Sequence, residues 1–126
     1  MPRILLVEDD ASARRLVEFT LQQDGFDVIT AGNGKEAIER AQREQPDAIV
    51  MDVMMPVMGG YEACLRLKEI PTTAYIPILI LTAKGQEADR TYSMMAGADD
   101  FLANPSDPRL IAERVRSLLA VSMQAA

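Results

Sequence analysis

Short apolar runs alternate with stretches of helical periodicity along the whole chain, and this alternation limits the fold more than any other feature. Three runs stand out: Ile4-Leu5-Leu6-Val7, Ala48-Ile49-Val50-Met51 and Ile78-Leu79-Ile80-Leu81. Runs of this length between turn signals read as strands buried on both faces. Residues 26–30 and 100–102 add two weaker strands, and the first of these alternates enough to suit an edge. Helical stretches lie between them. Asp10 is placed to cap the first, which carries Leu16, Phe19, Thr20 and Gln23 at helical spacing with Leu21 beside them and ends at Gly25. Asn33 opens the second, with Glu36 three residues later to return the capping bond and Ala37, Ile38 and Ala41 as its inner stripe. Pro46 stops the chain before the central strand.

A third helix is predicted from about Tyr61 to Lys68, facing inward through Cys64, Leu65 and Tyr61. A weaker fourth, over residues 86–95, is closed by Gly97. Asp107 caps the last helix, with Pro108 at its first position, where a missing N–H costs nothing. Leu110, Ile111, Arg114, Val115, Leu118 and Leu119 carry that helix. Five strand-then-helix units predict one α/β domain, a doubly wound (βα)5 fold with a five-stranded parallel sheet and helices on both faces. The domain is expected over residues 1–122, with 123–126 as a frayed tail.

Composition narrows the function. The chain has 126 residues and is 48% hydrophobic, enough for one real core. No apolar run approaches the roughly 18 residues that span a bilayer. Met1-Pro2-Arg3 lacks the long apolar region of a signal peptide. Cys64 is the sole cysteine, so no internal disulfide forms; the expected location is the reduced cytoplasm. A net charge of −6 argues against binding to a nucleic-acid backbone. The absence of histidine excludes a His-based triad, a His-ligated metal and an internal phosphohistidine.

Chemistry-bearing residues gather at strand ends, where open α/β sheets bind ligands. The first strand runs into Glu8 and Asp9, the third into Asp52, and the fourth into Thr82. A turn through Pro56, Gly59 and Gly60 follows Asp52. If these strands are neighbours, three carboxylates converge, and at least one pKa rises unless a cation intervenes. Hard oxygen donors without His or Cys favour Mg²⁺ or Mn²⁺. Such a site suits phosphoryl transfer, with one carboxylate as nucleophile forming an aspartyl phosphate. The plainer alternatives are a loop-capping Asp52, and Glu8 and Asp9 as a solvated helix-start cluster complementing the dipole.

Four stretches carry a resemblance. They are Ile4-Leu5-Leu6-Val7-Glu8-Asp9-Asp10, Met51-Asp52-Val53-Met54-Met55-Pro56 with Gly59-Gly60, Leu81-Thr82-Ala83, and Gly97-Ala98-Asp99-Asp100-Phe101-Leu102. In this order and spacing they resemble the receiver domain of bacterial response regulators, over essentially the whole chain. The resemblance implies a flavodoxin-like fold with strand order 2-1-3-4-5. It implies that Asp52 is the phospho-acceptor, and that Glu8 and Asp9 hold the metal with Asp52 and the backbone carbonyl of Met54. Thr82 and the Ala83 backbone N–H would bind the phosphoryl group, and Phe101 would be the aromatic switch. The expected cofactor is Mg²⁺ or Mn²⁺. The expected donor is a partner histidine kinase or histidine phosphotransfer protein of a two-component phosphorelay. The chain would be no enzyme beyond its own phosphorylation and dephosphorylation. The fourth helix, fifth strand and last helix would present the switched surface to a downstream protein, with no direct contact to nucleic acid or membrane. The sequence stops after the last helix, so output is expected through another protein or a domain beyond this chain.

One departure stands at Asn104. The family places a lysine before the proline of that loop; here Asn104 precedes Pro105, and Ser106 replaces the usual aromatic. A neutral amide donor is about half as strong as a charged one. Lys84, two residues past Thr82, is a candidate to replace the charge. The departure supports a rival, a degenerate receiver that binds proteins without phosphate. A Mg²⁺-dependent aspartyl phosphatase is disfavoured, because its second Asp would fall at Met54. No Walker-type loop or G-x-G-x-x-G follows the first strand.

Overall fold

The computed structural model describes residues 1–83, 94–104 and 106–124. Five strands, β1 (Arg3–Val7), β2 (Asp27–Ala31), β3 (Ala48–Asp52), β4 (Ile78–Ala83) and β5 (Asp100–Asn104), form one sheet in the order β2-β1-β3-β4-β5. All pairings are parallel, as expected from the alternation of strands and helices. The helices are α1 (Ala11–Gln23), α2 (Gly34–Glu44), α3 (Gly60–Glu69) and a C-terminal helix (Pro108–Gln124). That last helix continues past residue 122, the expected limit of the domain. Of the fourth helix expected over 86–95, residues 94 and 95 are helical, and the remainder, with Lys84 and Pro105, lies outside the described residues.

The period of two along each strand divides the core into two layers. Leu5, Val7, Ile49, Met51, Ile78 and Ile80 face Ala37 and Ala41 of α2 and Ala63, Cys64 and Leu67 of α3. Ile4, Leu6, Val50, Leu79 and Leu81 face Val17 and Leu21 of α1 and Ile111, Ala112 and Val115 of the C-terminal helix. Each fully buried Leu or Ile contributes on the order of 1.5–3 kcal/mol, so the sheet's two buried faces supply most of the driving force.

Helix ends follow the expected chemistry, with one shift. Asp10 accepts a bond from the Ser12 N–H at 3.3 Å, and Asp107 accepts one from the Arg109 N–H at 2.9 Å. Asn33 accepts from the Glu36 N–H at 2.9 Å, but the Glu36 carboxylate returns its bond to the Gly32 N–H, not to Asn33. Gly25, at φ +91°, turns the chain out of α1. Phe26 then gives its N–H to Leu21 at 3.1 Å and belongs to that cap, so β2 starts at Asp27, one residue later than predicted.

In α1 the apolar residues noted at helical spacing are not the buried ones, and in α3 one residue of the expected inner face is exposed. Leu16 and Phe19 of α1 are 57% and 60% exposed, and Val17 and Leu21 turn inward instead. Leu65 of α3 is exposed, whereas Ala63, Cys64 and Leu67 are buried. In α3 Cys64 is buried and Tyr61 packs against the core as expected, so only Leu65 turns away. β5 is longer than 100–102, because the β4 pairing continues through Thr82 with Ala103 and Ala83 with Asn104. That extension carries Asn104 to the end of the sheet where the acidic residues lie.

Candidate metal and phosphoryl site

β1 and β3 are neighbours, with Val7 paired to Met51, so the residues following them meet. Asp52 is the last residue of β3, and Glu8 is the first after β1. Both are buried, at 8% and 7% exposure, whereas Asp9 is exposed. Carboxylate oxygens of Glu8, Asp9 and Asp52 lie within 4.8 Å of one another. The three acidic residues singled out in the sequence therefore form one cluster at the carboxyl edge of the sheet.

The cluster is electrostatically stressed. Glu8's pKa is pushed up to about 8, first by burial, then by a hydrogen bond to Asp52 and by the charges of Asp52, Asp9 and Asp10. Its Oε2 is buried with no hydrogen-bond partner. An orphaned carboxylate oxygen in a group of three such residues is the donor arrangement that a hard divalent cation satisfies. The residues present thus fit Mg²⁺ or Mn²⁺.

The backbone around Asp52 is packed tightly. Val53 gives its N–H to Leu81 at 3.2 Å, and Gly60 gives its N–H to Val53 at 3.1 Å. A Cβ on Gly60 would sit 2.3 Å from the Asp52 carbonyl oxygen, so only glycine lets α3 start against the end of β3. The loop between them also docks on α2, through the Gly34 N–H to the Met58 carbonyl at 2.9 Å. Met54, on this loop, is 72% exposed; the side chain points out, while Met55 packs against the core.

β4 brings in the hydroxyl. Thr82 is 6% exposed, and its Oγ1 donates to the Leu102 carbonyl of β5 at 3.5 Å, the outer limit of such a bond. Thr82 sits one position beyond Leu81, the β4 partner of Asp52. Ala83 pairs with Asn104 at the end of β4 and β5. Phe101 is half-buried and pairs with Ile80, further from the acidic edge. One participant was missed in the sequence. Arg14 of α1 donates from Nη1 to the Glu8 carbonyl at 3.0 Å. The sequence reading did not single it out, because a bond to a backbone carbonyl leaves no mark in the side-chain pattern.

Comparison with known proteins agrees with this geometry. Residues 4–116 match the family model of the response regulator receiver domain. The alkaline phosphatase synthesis transcriptional regulatory protein PhoP of Bacillus subtilis (strain 168) is 42% identical over 124 residues, covering 98% of this chain and 51% of that protein. The chain spans about half the length of that relative and of others similar to it. The chemotaxis response regulator CheY4 of Vibrio cholerae superposes with a TM-score of 0.87 at 33% identity, covering 94% of this chain and 98% of that one. The receiver domain of the sensor histidine kinase PA1611 from Pseudomonas aeruginosa PAO1 has a TM-score of 0.87 at 31% identity, with 94% and 98% covered; that structure has a magnesium ion coordinated in its active site cleft.

Proposed function

The chain belongs to the response regulator receiver domain family, and from that membership we propose that it accepts a phosphoryl group on Asp52 from a partner histidine kinase or histidine phosphotransfer protein. The observation that carries this reading is the carboxylate cluster of Glu8, Asp9 and Asp52 with its unpartnered buried Glu8 oxygen. Glu8, Asp9 and Asp52, with the Met54 carbonyl, would hold Mg²⁺ or Mn²⁺, whose charge offsets that of the phosphoryl oxygens.

The chain's own residues do the rest. An Asp52 oxygen attacks phosphorus, the P–N bond to the donor imidazole breaks, and the imidazole leaves with that electron pair and takes up a proton. The Thr82 hydroxyl, weakly held by Leu102 at 3.5 Å, gains a stronger acceptor in a phosphoryl oxygen. The Ala83 N–H donates beside it, and Asn104, at the adjoining end of β5, stands where the family has a lysine. Losing the Thr82 bond releases β5, and Phe101 follows it. The altered face, formed by the segment before β5, β5 itself and the C-terminal helix, acts on a downstream protein or on an output domain beyond these residues. The switching unit takes in the C-terminal helix to its end at Gln124 and acts in the bacterial cytoplasm without direct contact to nucleic acid or membrane.

Intact mass after incubation with acetyl phosphate and Mg²⁺ tests the reading. The parent chain should gain one phosphoryl group and Asp52→Asn none. An unmodified parent would leave the phosphate-independent binding module, the reading that Asn104 favours; an adduct surviving in Asp52→Asn would remove Asp52 as acceptor.

A further inference from the structure

Glu8 has to stay where electrostatics would move it. Its carboxylate is buried beside Asp52, and once it gives up its proton, as a metal ligand must, repulsion from Asp52 works to push the β1–α1 loop outward. Two backbone bonds oppose that push. The Glu8 N–H donates to the Ala31 carbonyl at the end of β2, at 3.1 Å. The Glu8 carbonyl accepts from Arg14 Nη1 at 3.0 Å, in a part-buried position. The first bond extends the sheet. The second comes from a side chain near the start of α1. Arg14 is the fourth residue of α1, and no acidic residue stands in that helix's first turn to balance it. A cation there opposes the helix dipole. The bond to Glu8 offsets that cost.

We propose that Arg14 is a positioning residue for the metal ligands: it clamps the backbone of Glu8, and so the Glu8-Asp9 pair, against Asp52. The bond engages the carbonyl, so the guanidinium takes up no carboxylate oxygen of Glu8, and the buried Oε2 is left without a partner. A guanidinium on a carbonyl is a charge-assisted bond, stronger than the neutral bond on the other side of the residue. Groups that hold a ligand from behind typically change metal affinity by about 10- to 100-fold when removed. The inference rests on the acidic cluster being a metal site, and it adds the element that keeps the cluster assembled.

Calorimetric Mg²⁺ titration of the whole chain and of two variants tests it. Arg14→Met keeps the apolar stem and removes the donor; Arg14→Lys keeps a charged donor. Arg14→Met should bind Mg²⁺ about tenfold more weakly, with Arg14→Lys recovering most of the loss. Melting in EDTA should differ little between parent and Arg14→Met, because without metal the clamp holds repelling groups together; the gap should open in Mg²⁺. Should Arg14→Met fold poorly, Arg14→Gln, whose amide is too short to span the same distance, should show the same weakening. Parental affinity in both donor-removing variants would overturn the assignment, as would an equal loss of melting temperature with and without Mg²⁺. No Mg²⁺ binding by the parent chain would overturn the metal reading itself, and the clamp with it.

Discussion

Where the family resemblance implies a lysine, and with it a full positive charge, residue 104 is a neutral amide, Asn104. Phosphoryl transfer gathers negative charge on the transferred oxygens, and catalysis depends on positive charge placed against it. The extended β4–β5 pairing sets Asn104 beside Ala83, directly after Thr82, so a longer cationic side chain at 104 starts from the correct end of the sheet. Exchanging a neutral donor for a charged one is worth on the order of 1 kcal/mol or more. Asn104→Lys should therefore speed phosphorylation by acetyl phosphate about tenfold, one factor of ten being 1.36 kcal/mol. The rate of adduct formation in saturating Mg²⁺ measures this. If Lys84 already supplies the charge, Asn104→Lys should be silent and Lys84→Ala should slow the parent reaction. Unchanged rates in both variants would refute the charge argument.

The loop joining β3 to α3 follows Asp52 directly, and it has one strained residue and one close contact. Val57 is at φ 67°, in the left-handed region, where a β-branched side chain is a true outlier. It is 79% exposed, so no packing is lost when it is changed. Val57→Gly should stabilise the fold by about 1 kcal/mol, the strain relieved exceeding the added chain entropy. Gly34 is the opposite case. A Cβ there would lie 2.7 Å from the Met58 carbonyl oxygen and 2.9 Å from Ala63 Cβ, both on packed backbone or core. Gly34→Ala should cost about 2 kcal/mol, within the usual range for overpacking. Urea melts of the two variants should thus move to opposite sides of the parent. Sequence reasoning reached the strands and the acidic residues because each rests on local pattern: an apolar run names its own end, and Glu8, Asp52 and Thr82 stand at such ends; the sheet order came only from the family resemblance, since no local pattern says which strands are neighbours. It missed what depends on distance between elements. Leu16, Phe19 and Leu65 carried the apolar periodicity, yet α1 meets the sheet through Val17 and Leu21, and α3 through Ala63, Cys64 and Leu67. Arg14 and Gly34 act on backbone carbonyls, which leave no trace in a pattern of side chains.

For the molecule as a whole, the acidic cluster makes stability a function of both protons and metal. Burial and the neighbouring carboxylates raise Glu8 from 4.5 to about 8 in the metal-free fold. An unfolded chain relieves both effects, so its Glu8 returns to the ordinary value. Between those two values the folded state holds a proton that the unfolded state has released. The slope of unfolding free energy with pH follows protons bound unfolded minus folded, and here it is negative. Stability from this group is fully present below about pH 4.5 and is lost as pH rises toward 8. Melting temperature in EDTA should therefore fall as pH is raised from about 6 to 8. A divalent ion inverts the dependence, because it binds the deprotonated ligands of the folded state only and competes with the proton. Millimolar Mg²⁺ should raise the melting temperature more at pH 8 than at pH 6, so the metal-bound and metal-free curves diverge as pH rises. Glu8→Gln removes the titrating group without changing its size, and should flatten the EDTA curve while shrinking the Mg²⁺ response. A net charge of −6 adds a general repulsion that also grows with pH, but it is spread over the surface and weakens with salt. Repeating the EDTA series in high salt separates the two: the fall due to buried Glu8 should persist, and a fall that salt abolishes would assign the effect to surface charge instead.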